Sequence, residues 1–364
     1  MQNNPTRRSA RPVGVGHLVI GGNAPITVQS MTNIDAHDFS ATLSQVQALE
    51  RAGCDIIRLA VPDTKAAPVF AYLKEAGVKA PLVADIHFDY KIALEAIAAG
   101  ADKIRINPGN IGSREKTEQV VRACQSKGVP IRIGVNSGSL EKSLLEKFGG
   151  PTPEALAESA LSHVRILEAL DFEDIVISVK SSDVPHMIAT NRILAEACPY
   201  ALHLGVTEAG GMGQGTVKGA VGIGSLLSMG IGDTIRVSLT ADPIEEVKVA
   251  RSILHTLGLG KPQMDIVSCP TCGRTKIPLF ALCQAFEERV DREGLRDLPV
   301  KVALMGCAVN GPGEAREAHI GIAGGVEEAL LFRHGQVVAK YHTDQIIDIL
   351  ISELKKMKKE SQNG

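Results

Sequence analysis

Three cysteines near the end of the chain have the spacing of ligands to a metal centre. Cys269 and Cys272 form a C-x2-C pair within "SCPTCGRTK" (268–276), and Cys307 opens the glycine-rich segment "CAVNGPGEA". Two thiolates on one turn are able to bind a single metal centre, but a complete tetrahedral set needs four ligands. By spacing alone, the three thiolates suit either a structural zinc knuckle or an iron–sulfur cluster.

The candidate for the fourth ligand is Glu314, seven residues after Cys307. A carboxylate is a hard, exchangeable ligand, so on a 4Fe–4S cluster it would leave one iron open to substrate. The other cysteines stand in barrel segments or in a helical pattern, and we predict that they are small buried side chains. They are Cys54, Cys124, Cys198 and Cys283.

A second group of chemically active residues is basic and lies within or at the end of predicted strands: Arg58, Arg105, Arg132 and Lys180. In one strand Arg105 and Asn107 share a face, and in the next strand Arg132 and Asn136 do so. An inward guanidinium is costly to bury unless it is paired. A diphosphate is a natural partner, because arginine forks match phosphate oxygens.

Other polar side chains stand near the same strand ends. Asp85 and His87 belong to the third predicted strand, and Glu208 follows the seventh. The alternative to an anion site is an internal salt-bridge network, for example between Asp85 and an arginine. The excess of basic over acidic groups favours the anion site.

The elements that position these residues form a regular series. Eight short β-branched runs, most of them followed by an amphipathic helical pattern, occupy residues 26–32, 55–61, 81–87, 103–109, 131–137, 174–180, 201–207 and 234–240. This series predicts a (β/α)8 TIM barrel rather than a doubly wound sheet, and active sites of such barrels lie at the carboxyl ends of the strands. The stretch "VGHLVIGGNAPI" (15–26) predicts a hairpin that plugs the barrel floor.

The pattern changes near "GLGKPQMD" (258–265), where a smaller α+β domain begins. We therefore predict a substrate-binding barrel over residues 1–260 and a cluster-binding domain over residues 261–364. All three candidate thiolate ligands fall in the second domain. The candidate metal ligands lie in one domain and the candidate anion-binding residues in the other. A site that uses both groups therefore requires the two domains to meet.

Composition restricts the class of function. Apolar residues make up 44% and charged residues 22% of the 364 residues, and the formal net charge is −2. These totals are typical of a globular protein and give no sign of a nucleic-acid or membrane partner. An odd number of scattered cysteines, no apolar run of 18 residues and no secretory leader pattern together predict a cytoplasmic protein.

Five motifs together closely resemble one family: "PITVQSMT", "KIRINPGNIG", "VTEAGG", "CPTCGR" and "MGCAVNGPGEA". They are similar to the bacterial 4-hydroxy-3-methylbut-2-en-1-yl diphosphate synthases of the methylerythritol phosphate route to isoprenoids, in their compact two-domain form. The resemblance implies reductive ring opening of 2-C-methyl-D-erythritol 2,4-cyclodiphosphate. It also implies a second domain of the sulfite/nitrite reductase type.

The resemblance assigns a role to each candidate residue. One 4Fe–4S cluster per chain would be held by Cys269, Cys272, Cys307 and Glu314. Glu208, as proton donor, and His87 would line the reacting end. The diphosphate would be held by Arg58, Arg105, Asn107, Arg132, Asn136 and Lys180, and Asp85 would be a further substrate-binding residue. The family implies a homodimer with a shared active site, and flavodoxin or ferredoxin as electron donor.

Two other functions remain open from the residues themselves. A phosphate-binding barrel lyase or transferase with a structural zinc knuckle would contain zinc without iron. A cluster-bearing redox sensor or electron carrier would need the cysteines but no basic barrel interior.

Overall fold

The computed structural model describes residues 6–107, 111–307 and 316–363. The chain divides into two compact units, Met1–Gly260 and Lys261–Gly364. Within the described ranges, no helix has the length and apolar character needed to cross a membrane.

The first unit is a closed barrel of eight parallel strands, which confirms the predicted fold class. In chain order they are β3 (Thr27–Met31), β4 (Ile56–Ala60), β5 (Leu82–Asp85), β6 (Lys103–Ile106), β7 (Ile131–Asn136), β8 (Ile175–Lys180), β9 (Ala201–Leu204) and β10 (Thr234–Ile235). Each strand pairs with the next, and β10 closes the barrel against β3. Each of the eight predicted runs contains one of these strands, although the last strand is much shorter than its run.

Helices surround the barrel: α1 (Phe39–Arg51), α2 (Val69–Glu75), α3 (Tyr90–Ala98), α4 (Arg114–Lys127), α5 (Lys142–Phe148), α6 (Pro153–Glu168), α7 (Val184–Ala197), α8 (Met212–Ser228) and α9 (Pro243–Thr256). Several begin where an aspartate or threonine accepts a backbone N–H of the first turn, as Asp38, Asp183 and Asp242 do. Such caps satisfy donors that have no partner within the helix.

A hairpin closes the floor of the barrel, as predicted, although it spans residues 13–20 and the prediction covered residues 15–26. Strands β1 (Val13–Val15) and β2 (Leu18–Ile20) pair antiparallel. Val13, Val15 and Ile20 are fully buried and pack in one cluster with barrel residues that include Ile56 and Val176. The amino-terminal end of the barrel is therefore apolar and filled.

Over its described residues, 261–307 and 316–363, the second unit consists of a five-stranded sheet and two helices. Strands β11 (Asp265–Ser268), β12 (Lys301–Met305) and β13 (Ile320–Gly324) are parallel, and β14 (Glu328–Arg333) and β15 (Gln336–His342) continue the sheet antiparallel. Helices α10 (Leu279–Arg292) and α11 (Ile346–Asn363) bury Phe286 and Leu350 with Val302 and Ile322 of the sheet. This arrangement agrees with the predicted α+β unit, and Gly335, with a φ of 74°, forms the turn between β14 and β15.

Candidate functional site

The register of three neighbouring strands brings charged residues to one level inside the barrel. Asp85 of β5 pairs with Arg105 of β6, and Arg105 pairs with Arg132 of β7. The alternate residues Ile104 and Ile106 belong to the apolar cluster that includes buried residues of the surrounding helices. The period of two along each strand therefore turns the charged side chains inward.

These side chains line a cavity of about 190 Å³ at the carboxyl ends of the strands. The lining includes most of the barrel residues predicted from the sequence: Arg58, Asp85, His87, Arg105, Arg132, Asn136 and Lys180. It also includes Gly134, Ser178, Thr207, Arg236 and Ser238, which were not predicted. The glycine-rich stretch 210–224 contributes no residue to this lining.

Asp85 is the carboxylate of the cavity, and arginines surround it. Its Oδ1 lies 3.0 Å from Nη1 of Arg105, and its Oδ2 lies 3.7 Å from Nε of Arg58. Burial acts to raise the pKa of Asp85, but the charges of Arg58 and Arg105 outweigh it and hold the pKa far below its usual range. The internal ion pairs considered as an alternative are therefore present, and they leave Asp85 ionised.

One carboxylate does not balance the positive charges of this cavity. The side chain of Arg132 is almost fully buried, and its Nε and Nη1 have no hydrogen-bond partner among the described residues. Burial and neighbouring cations, Arg236 first, lower the pKa of Lys180 well below its usual value. Burial also lowers the pKa of Arg58 to about 10. Such a cavity is complementary to a ligand that carries several negative charges.

Two glycines make room for the cationic side chains. A Cβ at Gly134 would come within 2.8 Å of Nη2 of Arg105 and even closer to its Nε. A Cβ at Gly205 would lie 2.6 Å from the carbonyl oxygen of Arg236 and 2.9 Å from Nζ of Lys180. Side chains at these positions would displace the groups that form the site.

Gly134→Ala is therefore expected to weaken anion binding by about tenfold, since the new methyl group pushes Arg105 away from Asp85. The dissociation constant of inorganic pyrophosphate, measured by calorimetry, checks this. Gly14→Ala is the matched control, because a Cβ at Gly14 meets no atom within 4 Å. Equal affinities in the two variants would contradict the expectation.

Arg236 is a cation of the site that the sequence analysis missed. It follows β10 directly and has the inward parity of Thr234 and Ser238. Its guanidinium lies 3.3 Å from buried Glu246 of α9, which also accepts a hydrogen bond from Ser30 at 2.9 Å. The parity rule that selected Arg105 and Arg132 would also have selected Arg236 in "TIRVSLT".

Two predicted residues do not line the cavity. Asn107 is buried one residue beyond the end of β6. Glu208 is exposed, four residues beyond the end of β9, and its φ of 51° places it in the left-handed region. A non-glycine residue in this conformation is uncommon and costs about 1 kcal/mol or more. His203 is fully buried, with its Nδ1 3.4 Å from Oγ1 of Thr234.

The candidate metal ligands lie at the carboxyl ends of two neighbouring strands. Cys269 follows β11, and Cys307 comes two residues after the end of β12, its parallel neighbour. The backbone N–H of Gly306 donates to Sγ of Cys269 at 3.2 Å. Cys272 is exposed on the turn that follows Cys269, and Thr271 within this turn has a φ of 54°.

This donor set has the chemistry of an iron–sulfur or zinc site, since soft thiolates stand at one sheet edge and one sulfur accepts a backbone N–H. Glu314 lies outside the described residues. Across residues 6–107, 111–307 and 316–363, no three His, Cys, Asp or Glu side chains form a group that could hold a metal ion. The full ligand set therefore stays a prediction.

The other cysteines lie apart from these ligands or inside helices. Burial raises the pKa of both Cys54 and Cys124 to about 12, as expected for inert core thiols. Cys198 and Cys283 are half-buried, so the prediction of burial is only partly correct for them. Burial raises the pKa of Cys283, and the nearby Cys269 adds to this effect.

Comparison with known families identifies the chain. The family model described as the GcpE TIM-barrel domain matches residues 10–251, and the one described as the GcpE protein C-terminal domain matches residues 265–356. The chain belongs to the GcpE family. The two matched segments correspond to the barrel and to the five-stranded unit.

Two curated relatives of this chain carry the same name. The 4-hydroxy-3-methylbut-2-en-1-yl diphosphate synthase (flavodoxin) of Geobacillus thermodenitrificans is 55% identical over 354 residues, which cover 97% of this chain and 94% of that protein. The protein of the same name from Clostridium perfringens is 56% identical over 345 residues, covering 95% and 98%. Such coverage extends the family relationship to both units.

Solved structures of enzymes with other names resemble this chain in fold. A type I 3-dehydroquinate dehydratase from Clostridium difficile is similar at a TM-score of 0.52 and 15% identity, covering 68% of this chain and 98% of its own. A 7,8-dihydropteroate synthase from Vibrio fischeri matches at a TM-score of 0.50 and 12% identity, covering 68% and 99%. At this identity the likeness concerns the fold alone.

Proposed function

We propose that this chain catalyses the reductive ring opening of 2-C-methyl-D-erythritol 2,4-cyclodiphosphate to 4-hydroxy-3-methylbut-2-en-1-yl diphosphate. The observation that carries the proposal is the cation-lined cavity, in which buried Arg132 keeps two nitrogens without a protein partner. Membership of the GcpE family selects the substrate among the many diphosphates that such a cavity would accept.

The barrel residues bind and orient the diphosphate. Arg58, Arg105 and Arg132 present guanidinium groups from three strands, Lys180 adds charge from β8 beside β7, and Arg236 adds charge from the end of β10. Asn136 and Ser178 supply neutral polar groups at the same rim. Several fixed donors hold a substrate in one pose, which favours reaction without any motion of the site.

The cluster is assigned to the second unit. Cys269, Cys272, Cys307 and Glu314 would hold one 4Fe–4S cluster, and the N–H that Gly306 donates to Cys269 suits a thiolate bound to iron. When bound, this group supplies low-potential electrons and a Lewis acid for the departing hydroxyl. The soft thiolates of Cys269, Cys272 and Cys307 fit such a cluster.

Protons are assigned to His87 and Glu208. The side chain of His87 is 56% exposed, lines the cavity and has its Nε2 3.7 Å from Oδ2 of Asp85. Asp85 remains ionised, so it can orient the imidazole ring. Glu208 stands at the same end of the barrel and would donate a proton to the leaving oxygen.

Neither unit holds every part of this site. We propose a homodimer in which the cluster unit of one chain completes the barrel of the other. We propose flavodoxin as the electron donor, because the names of the relatives include it, and ferredoxin is the alternative donor. A reducing cytoplasm suits the exposed thiol of Cys272.

A turnover assay tests the proposed function. The anaerobically purified protein, given the cyclodiphosphate and reduced flavodoxin, is expected to convert the cyclic into the linear diphosphate, followed by phosphorus NMR. Oxidised flavodoxin is the control and should give no product. Iron-loaded protein that leaves the cyclodiphosphate intact would contradict the proposal. Zinc-containing protein that converts another phosphorylated substrate would instead indicate a barrel lyase or transferase.

A further inference from the structure

Lys103 is an unexplained charge inside the barrel. It lies two residues before Arg105 on β6 and has the same inward parity, but it does not line the cavity. Two residues along a strand correspond to about 7 Å, so Lys103 lies one layer beneath the cavity floor. Its side chain is fully buried, and its Nζ has no hydrogen-bond partner among the described residues.

The surroundings of Lys103 are cationic or neutral. Its proton affinity is lowered by burial first, then by the charges of Arg132 and Arg58, so its pKa falls well below the usual value. Burial and the same group of cations also lower the pKa of His203, which keeps this imidazole neutral. The inward titratable groups of the surrounding strands are Arg58, Asp85, Arg105, Arg132, Lys180, His203 and Arg236.

The carboxylates near this set are already engaged. Asp85 is paired with Arg105 and Arg58, and Glu246 with Arg236 and Ser30. Lys103 therefore has neither a counter-ion nor a hydrogen-bond acceptor in the described protein. A buried amine in this position is neutral, because an unpaired ammonium is strongly disfavoured in a protein interior.

We propose that Lys103 is a positioning residue that takes up a proton when the diphosphate enters the cavity above it. The inference rests on the proposed function only in that the ligand is a diphosphate. The negative charge of the ligand supplies the counter-charge that Lys103 lacks among the described residues. The ammonium so formed adds a positive charge beneath the diphosphate and retains it without direct contact.

The size of the coupling is sufficient for such a change. A unit charge about 8 Å away alters the proton affinity of a buried group roughly thirtyfold, at an effective dielectric constant of about 20. A diphosphate carries several such charges. Lys180, which lines the cavity, responds in the same direction, so Lys103 accounts for one part of the total proton uptake.

The proposal has a definite sign. A group that binds a proton together with the ligand makes the ligand bind more weakly as pH rises. In the window above the pKa of the amine in the free protein and below its pKa in the complex, affinity falls tenfold per pH unit for each proton taken up. Replacing Lys103 with methionine removes one proton from this uptake. The slope of the logarithm of the affinity against pH then becomes less steep by one unit.

Calorimetric titration of the anaerobic holoenzyme with inorganic pyrophosphate, in buffers of different ionisation enthalpy, measures the proton uptake. We expect Lys103→Met to take up about one proton fewer than the wild type. Proton exchange by pyrophosphate itself is common to both proteins and cancels in the difference. Lys91→Met is the matched control, since Lys91 is exposed on α3, and it should equal the wild type.

A second measurement uses the ligand-free protein. If Lys103 is neutral there, the unfolded chain binds one proton more, so stability rises with pH in the wild type relative to Lys103→Met. Lys103→Gln serves the same purpose if the methionine variant does not fold. Equal proton uptake and equal pH dependence in wild type and variant would overturn the inference alone. Failure of pyrophosphate to bind the wild type would overturn the diphosphate site and, with it, the inference.

Discussion

Cys269→Ser is expected to leave a folded protein that has lost nearly all of its iron, sulfide and turnover. The thiolate of Cys269 stands at the end of β11 and accepts the N–H of Gly306, so it is the best-supported ligand among the described residues. Serine is a poor ligand for iron at neutral pH, because its hydroxyl remains protonated. Turnover should fall below about one hundredth of the wild-type rate.

The matched control for this variant is Cys283→Ala. Cys283 is half-buried in α10 and lies close enough to Cys269 that this neighbour helps to raise the pKa of Cys283. Cys283 is not a predicted ligand. Its removal should leave the iron and sulfide content unchanged. Loss of the cluster from both variants, or from Cys283→Ala alone, would show that the ligand set has been assigned wrongly.

Arg132→Met is expected to move binding and stability in opposite directions. The guanidinium is buried, and its Nε and Nη1 have no partner among the described residues, so it destabilises the ligand-free barrel. Methionine in its place should stabilise the fold by about 1–4 kcal/mol. Loss of the charged contact to phosphate should weaken binding by about 1.5–3 kcal/mol, which is roughly ten- to hundredfold.

Thermal unfolding and pyrophosphate titration of the same samples check both effects. Arg122→Met is the matched control, because Arg122 is exposed on α4 and pairs with Glu118, so either effect should stay within about 0.5 kcal/mol. A variant that loses stability and keeps its affinity would mean that Arg132 supports the fold and is not part of the anion site.

The barrel and its floor were predictable because their signals are local. Each inward arginine stands in a short β-branched run, and strand parity is enough to place Arg105 and Arg132 on the cavity side. The hairpin that closes the floor was predicted over residues 15–26, and its two strands lie slightly earlier, at Val13–Val15 and Leu18–Ile20. These inferences need only the period of a strand and the order of the elements.

Other features depend on how separate elements pack against one another. The pairing of Arg236 with Glu246 needs α9 to pack beside the end of β10, and the space that Gly134 leaves for Arg105 depends on the register of β6 with β7. Side-chain direction at strand ends is also set by the loops, and for this reason Glu208 lies at the rim without lining the cavity. The isolation of Lys103 becomes visible only when every neighbouring strand is in place.

The central claim joins an iron–sulfur unit to a diphosphate-binding barrel in one reductive reaction. The measurement that tests it most directly is the iron and acid-labile sulfide content of the anaerobic protein, determined beside its turnover of the cyclodiphosphate. We predict about four iron and four sulfide per chain, with turnover proportional to cluster content across partially loaded samples. Full turnover by protein that contains zinc, or by protein without iron and sulfide, would contradict the claim.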